Sequence, residues 1–301
     1  NIKYIMSGIY FRYPSVIKNN NIYIVSVNIN HGHNGKTIIT NLKNEDFPYQ
    51  LKKHNNYIIK DKYVVHNFTI FKDNTNLYYY GIGGMVRNQP PYNDIGNDHG
   101  VFLYKSNDTK KWEKLPDINP IICVDKYPLN PTHGIEKFCP VFDSNICCFY
   151  SFILKTYVLF CRANIAHGYR STQMTTTNDF INFSEFKLLD IDTFKKPNNN
   201  YMFKCVELLN YNIFFALVPY TNMPRSPTEH YIKKLISYDA INWIDCGKLC
   251  DREMFSDKSH VNTHIAEILY SNNFLEIILF ENCLDENATL TKKDFYIDNN
   301  I

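Results

Sequence analysis

The sequence predicts an all-β chain folded as a five-bladed β-propeller, with about four antiparallel strands per blade. Three observations carry that expectation. A motif returns at long intervals as Ser106-Asn-Asp108-Thr-Lys-Lys-Trp112, Thr177-Asn-Asp179-Phe-Ile-Asn-Phe183 and Ser237-Tyr-Asp239-Ala-Ile-Asn-Trp243. Its aspartates lie 71 and then 60 residues apart, and both tryptophans of the chain fill its aromatic slot. Self-similarity at such periods marks a radial or stacked array of one supersecondary unit. Runs of four to eight β-branched and aromatic residues, bounded by Asn, Asp, Gly and Lys, recur between the motifs. No stretch keeps a 3.6-residue apolar period over a dozen positions, so helix is expected to be rare or absent.

Working outward from the motifs divides the chain into five units. The first reads Ser15–Ser26, a short apolar segment, a polar turn and an aromatic-rich strand. The second has Phe68–Asp73 and Leu77–Tyr80, and the third Pro140–Asp143 and Thr156–Phe160. The fourth has Val206–Asn210 and Ile213–Leu217, the fifth Ile265–Leu269 and Phe274–Phe280. One domain over 1–301 follows, with blades near 8–57, 64–116, 136–190, 200–250 and 260–298. Four-stranded blades around a channel resolve the problem of unpaired sheet edges. An Asp repeated on blade after blade reads as a turn former, accepting backbone N–H bonds, and belongs on the outer part of each blade.

Composition narrows the function classes. At 301 residues and 45% apolar content the chain buries a substantial core, and 15% aromatics suit half-buried pleated surfaces. The net charge is +2 and the lysines are scattered, so no nucleic-acid partner is expected. No apolar run is long enough to span a bilayer, so no membrane partner is expected either. Nine cysteines at irregular spacing suggest free thiols and a reducing compartment such as the cytoplasm. The spacings Cys246-x3-Cys250, His31-Gly-His33 and His260-x3-His264 form no paired ligand set, and no metal site is expected. Nor does a Gly-rich phosphate cradle occur, so no nucleotide cofactor is expected.

The motif Ser-x-Asp-x3-Trp after Gly100–Ser106 resembles blades of five-bladed propeller glycoside hydrolases of the family 43 and family 32 kind. His66–Asp73 followed by Tyr78–Tyr80 is similar to that superfamily's opening His-Asp-Pro strand and its aromatic partner. Tyr157–Arg162 and Gly168–Arg170 resemble segments of bacterial glycosidase-like propellers, and the resemblance runs from about residue 8 to 283. It implies three carboxylates at the channel mouth, on the first strands of successive blades. They act as base or nucleophile, as helper and as acid, and a facing pair is the minimum for glycoside hydrolysis. The first position falls on Asn67, an amide; the second matches Asp143 and the third Glu207, with Glu267 able to supply a replacement.

Each candidate has a structural alternative. Asp143 caps a turn or faces the channel. Glu207 interrupts an apolar strand, so it is paired, protonated or functional, with Lys204 and Arg162 as candidate partners. Arg162 and Arg170 are candidate sugar clamps, using a planar fork of donors. His66 and Asn67 can hydrogen-bond a sugar, and Asp98 closes a Gly-, Asn- and Pro-rich loop long enough to overhang the channel. Two functions stay open: an enzyme with Glu207 as acid and Asp143 or Glu267 as base, or a catalytically silent carbohydrate-binding or interaction propeller. For the enzyme and for the carbohydrate-binding propeller the expected partner is an oligosaccharide or glycan.

Overall fold

In the computed structural model the described residues are 11–29, 36–52, 59, 67–73, 77–85, 100–123, 144–164, 170–191, 202–221, 230–249, 264–281 and 288–297. They fold as five antiparallel sheets in a ring. The first blade holds β1 (Phe11–Asn19), β2 (Ile22–Ile29) and β3 (Lys36–Lys43), and a two-residue strand β4 (Tyr49–Gln50) follows. The second holds β5 (Thr69–Lys72), β6 (Tyr79–Met85), β7 (Gly100–Ser106) and β8 (Glu113–Lys114). The third holds β9 (Cys147–Ser151), β10 (Thr156–Asn164), β11 (Arg170–Thr177) and β12 (Lys187–Leu188).

A further short strand, β13 (Asp190–Ile191), pairs in parallel with the fourth blade, whose own strands are β14 (Lys204–Leu208), β15 (Ile213–Thr221), β16 (His230–Ser237) and β17 (Asn242–Lys248). The fifth is β18 (His264–Ser271), β19 (Phe274–Glu281) and β20 (Thr289–Tyr296), closed at its outer edge by β4. The expected first-blade span therefore lends its end to the last blade, and the third lends its last residue, Asp190, to the fourth. Closing the ring with a strand from the other end of the chain protects an edge and ties first blade to last. Helix is confined, among the described residues, to 3₁₀ turns at Asn44–Asp46 and Leu209–Tyr211.

The core lies between neighbouring sheets. Between the third and fourth blades Phe160, Phe203, Phe214 and Trp243 pack together, all at most 2% exposed. In the second blade Phe68 is fully buried and meets Tyr104 and Trp112 edge-on at 5.7 and 5.4 Å. Gly81 lets that ring in, because a Cβ there would fall 2.0 Å from Phe68 Cζ. Overpacking of that kind costs about 1–3 kcal/mol.

The repeated motif forms the turn from third to fourth strand in blades two, three and four, on the outer side of each blade as expected. Its geometry is the same each time. The Ser or Thr hydroxyl oxygen accepts the N–H two and three positions on, as Ser237 Oγ does from Asp239 and Ala240. The Asp accepts the next pair, as Asp239 Oδ1 does from Ile241 and Asn242 at 2.9 and 2.7 Å. The residue after the Asp takes positive φ (Thr109, Phe180, Ala240), and each Trp Nε1 donates back to that residue's carbonyl. An Asx-type turn explains the residue types.

Those N–H groups also set the carboxylates' acidity. The Asn182 and Ile181 N–H groups hold Asp179 down at about 2, and the Lys111 and Lys110 N–H groups lower Asp108. A depressed folded value contributes stability above the usual 3.8 that is lost as pH falls toward 2. Asp179→Asn is therefore expected to be less stable at neutral pH and to lose less on acidification. Thermal midpoints between pH 5 and 2 check this; slopes equal to the wild type's would remove Asp179 from the acid sensitivity.

Candidate functional site

The inner strands β1, β5, β9, β14 and β18 stand side by side around the channel, and their cross-links rank them at common levels. At the level where they begin, Asn67 Nδ2 donates to Ser144 O at 2.9 Å, while its Oδ1 accepts the Gly84 N–H at 2.7 Å. Asn145 Nδ2 donates to Pro14 O at 2.8 Å. Blades one and three are not neighbours, so this last bond crosses the channel. Asn67, Ser144 and Asn145 are all at most 2% exposed. The channel is pinched here.

One level further along, Lys204, which opens β14, donates from Nζ to Glu267 Oε2, midway along β18, at 3.2 Å. The Glu267 carboxylate also accepts the Val16 and Ile268 N–H groups. Burial raises its pKa above the usual 4.5, and Lys204 pulls against that rise. Cys147 and Cys205 flank the pair, with Cys147 Sγ donating to Cys205 O at 3.7 Å. Burial pushes the Cys147 thiol up to about 12 and Cys205 well above its usual value. Both stay protonated and pack as small apolar groups rather than nucleophiles.

At the level where the inner strands end, Glu207 (8% exposed) serves the neighbouring blade. It accepts the Ser151 hydroxyl and the Phe152 and Ile153 N–H groups, the latter two at 2.9 and 3.3 Å. It thereby caps the β9–β10 hairpin. Similar polar staples join the other blades at this end: Asn19 to the Tyr79 hydroxyl, Asp73 to Tyr157, Asn210 to Asn273, and Glu276 to Lys18 and Tyr23. Glu207→Gln is expected to cost roughly 1–3 kcal/mol, because a carboxylate matched to three donors becomes an amide with one acceptor oxygen. A denaturant midpoint unchanged from the wild type would contradict that.

The structure thus separates residues that the sequence reading grouped at one mouth. Asn67 and the buried Arg162 stand toward the start of the inner strands, and half-buried Arg170 opens β11 opposite Asn164. Glu267 sits mid-channel. Glu207 lies three residues beyond Lys204 along β14, about 10 Å further down. Lys204 is the partner of Glu267, not of Glu207. His66, Asp98 and Asp143 lie outside the described residues, as do Cys250, His31, His33 and His260. Among the described residues no cluster of metal-ligating side chains occurs, the six described cysteines are free, and no helix is long and apolar enough to cross a membrane. Asn145 and Ser151 gave no warning in sequence, since an Asn or Ser at a strand end is ordinary until the facing strand is known.

No protein-family model matches the chain, and no curated protein does. Solved structures do. A thermostable family-43 glycoside hydrolase matches with a TM-score of 0.63 at 11% identity, covering 98% of this chain and 92% of its own. An N-acetylgalactosamine deacetylase from F. plautii in complex with blood group B trisaccharide gives 0.62 at 11%, covering 95% and 89%. An α-L-arabinofuranosidase from Podospora anserina in complex with cellotriose gives 0.62 at 10%, covering 97% and 93%. The shared fold is the five-bladed β-propeller. The propeller expected from the motif repeat and the resemblance is therefore the fold of the described residues, while activity has to be read from the site.

Proposed function

We propose that this propeller binds an oligosaccharide without hydrolysing it. The observation that carries this reading is the engagement of its two described candidate carboxylates by the protein itself. Glu207 holds the β9–β10 hairpin through three donors, and Glu267 is matched to Lys204 inside the channel. A general acid and base must instead face each other across a scissile bond, with room for substrate and water. Asn67, the amide at the position where the resemblance expects a carboxylate, is fixed at both ends of its side chain and buried. The glycan then sits at the end of the channel where the inner strands begin. Arg162, Arg170, His66 and Asp98 are its proposed contacts, as donors and acceptors to sugar hydroxyls.

The second reading, hydrolysis with Glu207 as acid and Asp143 or Glu267 as base, draws support from the enzymes among the structural relatives. One experiment separates the two. Wild type and Glu207→Gln are assayed on aryl furanosides and pyranosides and on a glycan array, with the fold of each checked by circular dichroism. The binding reading expects array signals from both proteins and turnover from neither. Turnover by the wild type that collapses in a folded Glu207→Gln protein would overturn it in favour of hydrolysis.

A further inference from the structure

Below the Asn145 pinch the channel widens into a cavity of about 790 Å³ that opens where the inner strands end. That volume is within the range of small-molecule sites. Nothing in the glycan reading uses this end of the molecule. Its deepest polar group is Lys204, 1% exposed on its side chain. An ammonium carries three N–H donors; Lys204 gives one to Glu267 and meets no other acceptor among the described residues. A hydroxyl group, which accepts and donates at once, is the chemical complement of an ammonium beside a carboxylate.

The wall and rim add two more features. Tyr150 and Phe152 stand edge-on at 5.4 Å, Phe152 is 47% exposed, and the Tyr150 hydroxyl has no partner among the described residues. Exposed aromatics at a cavity edge offer a stacking surface to a ring. Three lysines line the cavity. Lys18 is paired with Glu276 and Lys204 with Glu267, whereas Lys72, half-buried at the end of β5, makes no ion pair or hydrogen bond with the described residues. The lining carboxylates Glu207, Glu267 and Glu276 already hold protein donors. Lys72 is left to recognise an anion.

We propose that this cavity is a second binding site, for a hydroxylated, ring-shaped organic carboxylate. Its carboxylate meets Lys72, its ring lies against Phe152 and Tyr150, and a hydroxyl reaches the Lys204–Glu267 pair. A uronic-acid saccharide and a hydroxyaryl carboxylate share this chemistry, and the test tells them apart.

Calorimetric titrations of the whole chain with digalacturonate and with 4-hydroxybenzoate are compared with the neutral analogues digalactose and 4-hydroxybenzyl alcohol. Saturable binding of one acid, weaker for its neutral analogue and falling with salt, is expected. Lys72→Met, which removes a charge that no described residue pairs with, should weaken that binding roughly ten- to a hundredfold with an unchanged melting temperature. Phe152→Ala should also weaken it. The proposal is overturned if neither acid saturates, if the neutral analogues bind as well as the acids, or if Lys72→Met leaves affinity unaltered.

Discussion

Trp243→Ala should lower the stability of the whole propeller by about 3–5 kcal/mol, the usual cost of emptying a large buried aromatic site. Trp243 is 2% exposed, meets Phe203 and Phe160 at 5.0 and 6.1 Å between ring centroids, and donates its Nε1–H to Ala240 O at 3.0 Å. Alanine leaves a cavity at the interface of the third and fourth blades and a carbonyl without its donor. Trp112→Ala is the internal control. It occupies the same slot of the repeat but is only half-buried, packing mainly on Phe68, so roughly half the loss is expected. Denaturant unfolding of both variants decides the matter. Equal losses would mean that the repeat position, rather than burial, sets the contribution.

The second large effect concerns the mid-channel pair. Removing one partner of a buried ion pair costs about 3–5 kcal/mol, because the other charge is left uncompensated. Glu267→Gln leaves the Lys204 ammonium in that state, on a side chain only 1% exposed. Lys204→Met is expected to be milder at low pH, because the Glu267 carboxyl can stay protonated. The sign follows from the raised pKa of Glu267. A raised folded value contributes stability that is present below the usual 4.5 and lost as pH rises through the folded value. Taking away Lys204 removes an interaction that lowers it, so the loss moves to higher pH. Lys204→Met should therefore be more destabilised at pH 8 than at pH 5, relative to the wild type. The double variant Lys204→Met with Glu267→Leu should recover much of the loss. Failure of that recovery would show that packing, not charge, dominates the site.

The outer blade was legible because its determinants are local. Asp179 and Asp239 each bond residues two and three positions ahead in the chain, so the turn can be read wherever its letters occur. The channel is different. Glu207 is readable in sequence as a carboxylate that needs partners, yet those partners, Ser151 and the N–H groups of Phe152 and Ile153, lie more than fifty residues earlier. Lys204 stands three residues from Glu207 in sequence and bonds Glu267, 63 residues away, instead. In a strand a shift of three positions is about 10 Å and reverses the side, so near neighbours in sequence are not partners in space.

The motif spacing and the strand periodicity by themselves determined the propeller, its blade count and the placement of the three motif turns away from the axis. Each of those rests on contacts inside one hairpin or one repeat. Which groups face one another across the channel was decided only by the tertiary structure. Inner strands from five separate stretches of chain meet there with no backbone hydrogen bonds between them among the described residues, so their relative level is set by how the sheets pack. That packing gave Glu207 to a hairpin and Glu267 to a lysine, and left Lys72 facing the cavity without a partner among the described residues.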